Sequence, residues 1–362
     1  SLSDLKKLSR IGGKTISIYI VTTAIAVTIG LVSVNILKPG NTVPEDMKIK
    51  LQETYQSAAS GKLDAAEQVK DRSKLQPIVD MVPSNFFSSA SNNRNMLQVV
   101  FVAIIFGVAL IQIPKDKAKP VLDFMEGINE LVIKLVDNIM LMAPIGVFAL
   151  IADTITTVAG DNLHNVLELL SALGFYMLAV IIGLILQMLI TYTAVLKIFS
   201  KMSLKKFYQG IAPAQLLAFS TSSSGATLPV TMERCEDELG VSEEVSSFVL
   251  PLGATINMDG TALYQAVAAV FIAQTLGMDL SLGAQLTIVL TAVLASIGTA
   301  AVPGAGIIML VIILEAINVP SAGIALILGV DRILDMMRTV TNVTGDASVA
   351  VAVASTEGQI SE

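Results

Sequence analysis

The sequence predicts an all-α polytopic membrane protein with six transmembrane helices and two re-entrant helical hairpins, on three observations. Only 15 % of its 362 residues are charged and 53 % are hydrophobic, against roughly 25 % charged in soluble domains. Mean hydropathy is +0.72. The apolar residues also fall in charge-free runs, several of them near the length of about 20 residues that a bilayer requires. Two of these runs are interrupted at their centre by Gly, Ser and Pro.

The spans follow in order. Residues 15–37 are uncharged between Lys14 and Lys38, and residues 97–113 are apolar up to "PKDKAK". Residues 131–152 are apolar apart from Lys134 and Asp137, and 169–196 carry no charge. Residues 245–278 hold one acid, Asp259, and 324–354 form the last span, which carries several charges. Lys6, Lys7, Arg10 and Lys14 precede the first span, Lys115, Lys117 and Lys119 follow the second, and Lys197, Lys201, Lys205 and Lys206 follow the fourth. This alternation sets those loops and both ends of the chain on the cytoplasmic side. Residues 39–94 and "ADTITTVAGDNLHN" suit the outside.

The two broken runs lie at 207–232, around "STSSSGATLP", and at 280–314, around "SIGTAAVPGAG". Irregular backbone at membrane depth survives only inside protein or against a water-filled cavity. Each run therefore reads as two half-length helices joined by a tip near the midplane, the first entering from the cytoplasm and the second from outside. Long helices kinked at Gly and Pro are the plainer alternative. Oppositely directed broken helices fit the inverted repeats of secondary transporters, whose binding sites they form.

Polar residues inside the spans mark the candidate site. On a helix of 100° per residue, Asp331, Asp335, Arg338, Thr339, Asn342 and Asp346 share one side of the last span, with Ile333, Met337 and Val340 opposite. Such residues are costly in a membrane and face a bundle interior or cavity. A salt-bridge stripe that only joins helices would need fewer acids. In "GATINMDGT", Gly253 to Thr261, the poor helix formers Asn257, Asp259 and Gly260 lie deep in a span. Unwound backbone there exposes carbonyls, and with Asp259 these offer the all-oxygen shell of a hard cation such as Na⁺; a polar kink without ligand is the alternative. One cysteine, Cys235, excludes an internal disulfide, and one histidine, His164, argues against a His-based metal site. "GGKT" at 12–15 lacks the earlier glycine of a phosphate loop, and "NVT" at 342–344 sits within a span. Nothing points to nucleic acid as a partner.

"SSSGATLPVTM", "LPLGATINMDGTALYQ", "IGTAAVPGAG" and "DMMRTVTNVTGD" resemble the hairpin-1, helix-7, hairpin-2 and helix-8 motifs of the sodium-coupled glutamate/aspartate transporters, the dicarboxylate/amino acid:cation symporter family. The likeness is continuous over about 205–357 and looser over 10–38 and 95–196. It implies an elevator-type sodium symporter of acidic amino acids, homotrimeric, set among the lipids of the cell (inner or plasma) membrane. It implies no enzyme activity. It also implies two helices before this chain's first, absent from a sequence that opens at Ser1.

The implied domains are 1–38, the first transport-domain helix; 39–94, an extracellular loop; 95–163, scaffold and trimer helices; and 164–362, the transport core. That core contains hairpin 1 (207–232), a broken helix (245–278), hairpin 2 (280–314) and the polar-striped last helix (324–354). For substrate the resemblance implies Arg338 on the side-chain carboxylate, Asp335 on the ammonium, and Thr339 and Asn342 on the α-carboxylate. Ser223, Ser224, Thr261, Val302 and Gly306 complete that set. For co-transported Na⁺ it implies three sites. One uses Gly253, Asn257, Asn342 and Asp346. A second uses carbonyls of Thr255, Ser296, Ile297 and Thr299; Met258 also belongs to the sodium set. The third uses Tyr19, Thr22, Thr23, Asn257 and Asp259.

Departures from the family pattern sharpen these expectations. Ser222 stands where archaeal-type members have Arg, and Met336 where animal-type members have one. Gln265 replaces a proton-carrying Glu, so proton coupling by that route is not expected. Ala301 replaces a common Gly of the hairpin-2 tip. A C4-dicarboxylate carrier has no ammonium for Asp335 to neutralise, and a neutral amino acid carrier leaves Arg338 unpaired. An ion channel needs a continuous pore, and an intramembrane enzyme needs a nucleophile whose base the serine run lacks.

Overall fold

The computed structural model describes residues 5–43, 49, 82–83, 85–90, 96–140, 145, 163–296 and 304–361. Among them the chain is helical, with no strand and one isolated bridge, Val241 to Ile360. In order the helices are α1 (Leu5–Leu37), α2 (Met96–Gln112), α3 (Lys115–Met140) and α4 (Leu163–Leu186). A π-helical turn, Gln187–Tyr192, joins α4 to α5 (Thr193–Phe199). Then come α6 (Leu204–Thr221), α7 (Ser224–Asp237), α8 (Glu243–Ile256) and α9 (Asp259–Thr275). The last three are α10 (Leu282–Ser296), α11 (Ala305–Ala316) and α12 (Leu328–Glu357).

The chain divides into two compact units, residues 56–149 and the remainder, 1–55 with 150–362. The smaller unit holds α2, α3 and a short helix, Phe86–Ala90. The basic stretch that the sequence suggested as a loop opens α3: the Pro114 carbonyl accepts from the N–H groups of Lys117 and Ala118. Asp116 in that first turn suits the positive end of the helix dipole. Most of 39–94, the later part of the expected 131–152 span and residues 297–303 lie outside the described residues.

In the larger unit, three helical stretches are long and apolar enough to cross a membrane: Ser9–Thr42, Leu170–Phe199 and Glu243–Thr275. Val21, Ile36, Leu189 and Ile198 are exposed on the first two, an outward apolar face that water would penalise and lipid would not. The third is 94 % buried across its most apolar window, so other helices, not lipid, surround it. These are the helices of a membrane protein.

Local sequence explains the element ends. Ser203, Ser223 and Ser242 cap α6, α7 and α8, each accepting from a backbone N–H of the first turn. Glu243 and Glu244 follow the last of these at the N-terminus of α8. α6 stops at Ser222, which adopts a left-handed conformation with φ 53°. Helix α12 ends on Gly358 with φ 66°, a left-handed residue that glycine adopts without strain.

Two apolar cores result. One gathers Ala26 to Val34 of α1, Ala172 to Leu184 of α4, most of α9, and residues of α10 and α11. The other gathers Tyr19, Leu196 of α5, α6 to α8 and the second half of α12. Between them a polar layer crosses four elements in register: Thr22 and Thr23, Gln187 and Thr191, Asn257 to Thr261, and Asp335 to Asp346. Helix pair α6–α7 packs with the second core and α10–α11 with the first.

Candidate functional site

The polar layer exists because four helices lose regularity or apolar character at one depth. The chain leaves helical geometry at Asn257 (ψ 84°) and Met258 (ψ 48°), where α8 gives way to α9. A helix end leaves its last carbonyls without intrahelical partners, so the carbonyls of Thr255 and Ile256 are released at the break. Two glycines let backbones meet there. A Cβ on Gly260 would collide with the Arg338 carbonyl, and one on Gly253 with the Asp346 carboxylate and the Tyr19 hydroxyl.

Arg338 occupies the centre of the first cluster, 1 % exposed. Its Nη1 donates to Asp331 Oδ1 at 2.9 Å and its Nε to Asp335 Oδ1 at 2.9 Å. The guanidinium carbon lies 4.2 Å from the centroid of the Tyr264 ring, a cation–π contact. Nη2 sits 2.8 Å from Asp335 Oδ1 yet makes no aligned hydrogen bond. A buried guanidinium donor without an aligned acceptor is costly.

Residues of α9 and the start of α11, with others of α12, border this cluster. Gly304 N donates to Asp335 Oδ2 at 2.9 Å, and a Cβ at Gly306 would lie 3.0 Å from Thr261 Cγ2 and 3.2 Å from Arg338 Nη2. Gln265 Nε2 donates to the Gly306 carbonyl at 2.9 Å. Asn342 accepts from Gly260 N at 2.8 Å and donates to Thr261 Oγ1 at 3.2 Å; its Nδ2 also lies 3.3 Å from Met258 sulfur. The Thr339 hydroxyl donates to the Asp335 carbonyl at 2.8 Å. Asp335, Arg338, Thr339, Asn342, Thr261, Met258 and Gly306 thus meet in one place.

The second cluster surrounds two further carboxylates. Asp346 Oδ1 accepts from Asn257 Nδ2 at 2.8 Å, while the buried Asn257 Oδ1 accepts no hydrogen bond. The Tyr19 hydroxyl, beside Asp346 at Gly253, donates to the Val249 carbonyl at 3.0 Å. Asp259, fully buried, takes Thr23 on Oδ1 at 2.6 Å, and Gln187 and Tyr192 on Oδ2 at 3.0 and 3.1 Å. Among the described residues no Lys or Arg pairs with Asp259 or Asp346. Asp259, Asp331, Asp335 and Asp346 outnumber Arg338 by three, an excess of acids that a membrane interior does not tolerate as unpaired charge.

The hydroxyls of other expected residues bond locally. The Thr255 hydroxyl, exposed, turns back to the Leu252 carbonyl at 2.9 Å, and Ser296 Oγ to Val293 at 2.8 Å. Thr22 donates its hydroxyl to the Tyr19 carbonyl at 3.1 Å. Ser223 and Ser224 are buried at the α6–α7 turn, where Ser223 Oγ accepts from Ala226 N at 3.1 Å. Ile297, Thr299 and Val302, with Ala301, lie outside the described residues.

Sequence reasoning missed Gln187, Thr191, Tyr192 and Tyr264. The first three sit in a charge-free run, and helical periodicity does not place Gln187 and Tyr192 on one face, so only their polarity signalled them. The partnership of Asp331 with Arg338 was equally hidden. Seven residues put them on one face but say nothing of which acid the guanidinium chooses.

Comparison with known proteins adds one family match and three relatives. The family model described as the sodium:dicarboxylate symporter family matches residues 1–356. A proton/sodium-glutamate symport protein of Bacillus caldotenax is 36 % identical over 100 % of this chain and 82 % of its own length. A proton/glutamate-aspartate symporter of Escherichia coli (strain K12) is 34 % identical over 98 % and 78 %, and human excitatory amino acid transporter 2 is 34 % identical over 95 % and 66 %.

Proposed function

The chain belongs to the sodium:dicarboxylate symporter family, and on that premise we propose that it carries acidic amino acids across a membrane by sodium symport. The observation that carries the substrate assignment is the buried Arg338 guanidinium, with an unused Nη2 donor beside Asp335. An acidic amino acid brings two carboxylates and one ammonium, and can exchange into this pair one charge for one charge. Its ammonium takes Asp335, its side-chain carboxylate takes the Nε and Nη2 edge of Arg338, and Asp331 keeps Nη1. Two of its three charges are thereby paired, the α-carboxylate being left to neutral donors, and the planar fork suits bidentate carboxylate binding. Asn342, Thr339 and Thr261 border the α-carboxylate, with the tips of Ser223, Ser224 and Val302 closing over it.

Sodium is the second cargo. Asp346 with Asn257, Gly253 and Asn342, and Asp259 with Thr23, Thr22 and Tyr19, supply carboxylate, amide, hydroxyl and carbonyl oxygens for a hard cation. The orphan Oδ1 of Asn257 and the unpaired carboxylates support these two sites. The third site, of Thr255, Ser296, Ile297 and Thr299 carbonyls, would form as the α10–α11 tip closes.

In this reading α6–α7 and α10–α11 are re-entrant hairpins of an inverted repeat, and six helices span. Residues 95–163 act as scaffold of a homotrimer, against which 1–38 and 164–362 move as an elevator in the cell membrane, both ends cytoplasmic. The test is uptake of labelled aspartate into vesicles carrying the reconstituted protein, with sodium or choline outside. Accumulation with sodium alone, blocked by glutamate and not by succinate, is the expected result. Equal uptake in choline, or preference for succinate, would refute the proposal.

A further inference from the structure

We propose that the π-helical turn Gln187–Tyr192 positions Asp259 for its cation, an inference that rests on the sodium-coupled reading above. In an α-helix, residues five apart are separated by about 140° around the axis. An i→i+5 bonded turn holds roughly 4.4 residues, which brings them to within about 50° of each other. That change lets Gln187 Nε2 (3.0 Å) and the Tyr192 hydroxyl (3.1 Å) donate to the same oxygen, Asp259 Oδ2. All three polar side chains of the turn are buried, Gln187 and Tyr192 fully and Thr191 to 3 % exposure.

The arrangement also has direction. The Thr191 hydroxyl donates to Gln187 Oε1 at 2.7 Å, so the amide presents its NH₂ and not its carbonyl to Asp259. The same Nε2 lies 3.3 Å from the Thr22 carbonyl, a member of the expected cation shell. Helix α12 makes room through Gly345, where a Cβ would come within 2.7 Å of the Tyr192 hydroxyl. Two donors saturate Oδ2 and fix the carboxylate plane, which leaves Oδ1, with Thr23 on it at 2.6 Å, turned to the cation. Gln187, Thr191 and Tyr192 are positioning residues; they need not touch the ion.

This role predicts a sign. Donors that merely neutralised a buried carboxylate would compete with the cation, and their removal would tighten sodium binding. Donors that orient the carboxylate weaken sodium binding when removed. The experiment measures labelled aspartate binding against sodium, and separately lithium, for the full chain and for Gln187→Leu, Tyr192→Phe and the near-isosteric Thr191→Val. Unfolding midpoints without sodium run alongside. Losing a hydrogen bond to a charged group should raise the half-saturating sodium concentration about tenfold in Gln187→Leu. Thr191→Val should raise it a few-fold, aspartate affinity at saturating sodium staying unchanged. Preference for sodium over lithium should fall in all three, since a loosened shell discriminates size less well. If Gln187→Leu does not fold, Thr191→Val decides alone. A sodium-dependent wild type whose folded variants show unchanged or tighter sodium dependence overturns this inference alone. A wild type indifferent to sodium overturns the symport reading and this inference with it.

Discussion

Gly306 is where the proposed closure of the α10–α11 tip, the gate of this reading, can be challenged most directly. Its α-carbon faces the site so closely that a Cβ would lie 3.0 Å from Thr261 Cγ2 and 3.2 Å from both Cζ and Nη2 of Arg338. Ordinary contact begins near 3.5 Å between carbon atoms, so alanine requires shifts of a few tenths of an ångström, which the end of an arginine can supply. Valine adds two methyl groups against the guanidinium edge assigned to the substrate carboxylate. Overpacking of this kind costs about 1–3 kcal/mol, or roughly a 5- to 150-fold loss of affinity if it falls on the bound state. The Gly306 carbonyl, held by Gln265 at 2.9 Å, resists any shift of α11 that would relieve the clash. Equilibrium binding of labelled aspartate at saturating sodium should therefore show Gly306→Ala near wild type and Gly306→Val weakened within that range. Its dependence on sodium should become shallower, because a propped tip uncouples the two ligands. A Gly306→Val protein that binds aspartate with wild-type affinity and sodium dependence would refute both the site and the gate.

Arg338→Ala should abolish aspartate binding and also lower the unfolding midpoint, because it strands Asp331 and Asp335; breaking a buried pair costs about 3–5 kcal/mol. Loss of binding with an unchanged midpoint would show that those acids do not depend on Arg338. Gln265→Glu should make aspartate binding fall as pH rises, since only a protonated carboxyl can donate to the Gly306 carbonyl; a flat profile would remove that bond from the gate. At the end of α12, the hydrogen bond from Arg10, with that from Lys14, holds the Glu357 carboxyl below its ordinary range. Its folded value being lowered, this contribution is present above the unfolded carboxylate range and disappears as pH falls through the folded value. Glu357→Gln should thus lower the unfolding midpoint at neutral pH, with the gap from wild type closing as pH falls below the ordinary carboxylate range and in high salt; a constant gap would mean the charge is irrelevant.

Much of this architecture was legible because membrane depth punishes exceptions. A glycine, asparagine and aspartate within "GATINMDGT" could only mean broken helix, and the break lies at Asn257 and Met258. The stripe on α12 was readable from helical period alone, and six of its members are buried. What sequence could not supply was pairing. The Tyr19 hydroxyl lies beside Asp346, because Gly253 opens that side of α8, a contact that helical period does not reveal. Arg338 is already shared by two acids, a choice among carboxylates at similar spacing that depends on side-chain rotamers. Gln187 and Tyr192 escaped because their common target depends on a π turn that period-based reading does not anticipate.

The central claim is that sodium and acidic amino acid cross together, each able to drive the other. It is tested most directly in vesicles holding equal sodium on both sides, with an aspartate gradient imposed inward and radiosodium as tracer. The account predicts net sodium uptake against no gradient of its own, stopping when aspartate equilibrates and absent in Arg338→Ala. Aspartate entering with no net movement of sodium would contradict it.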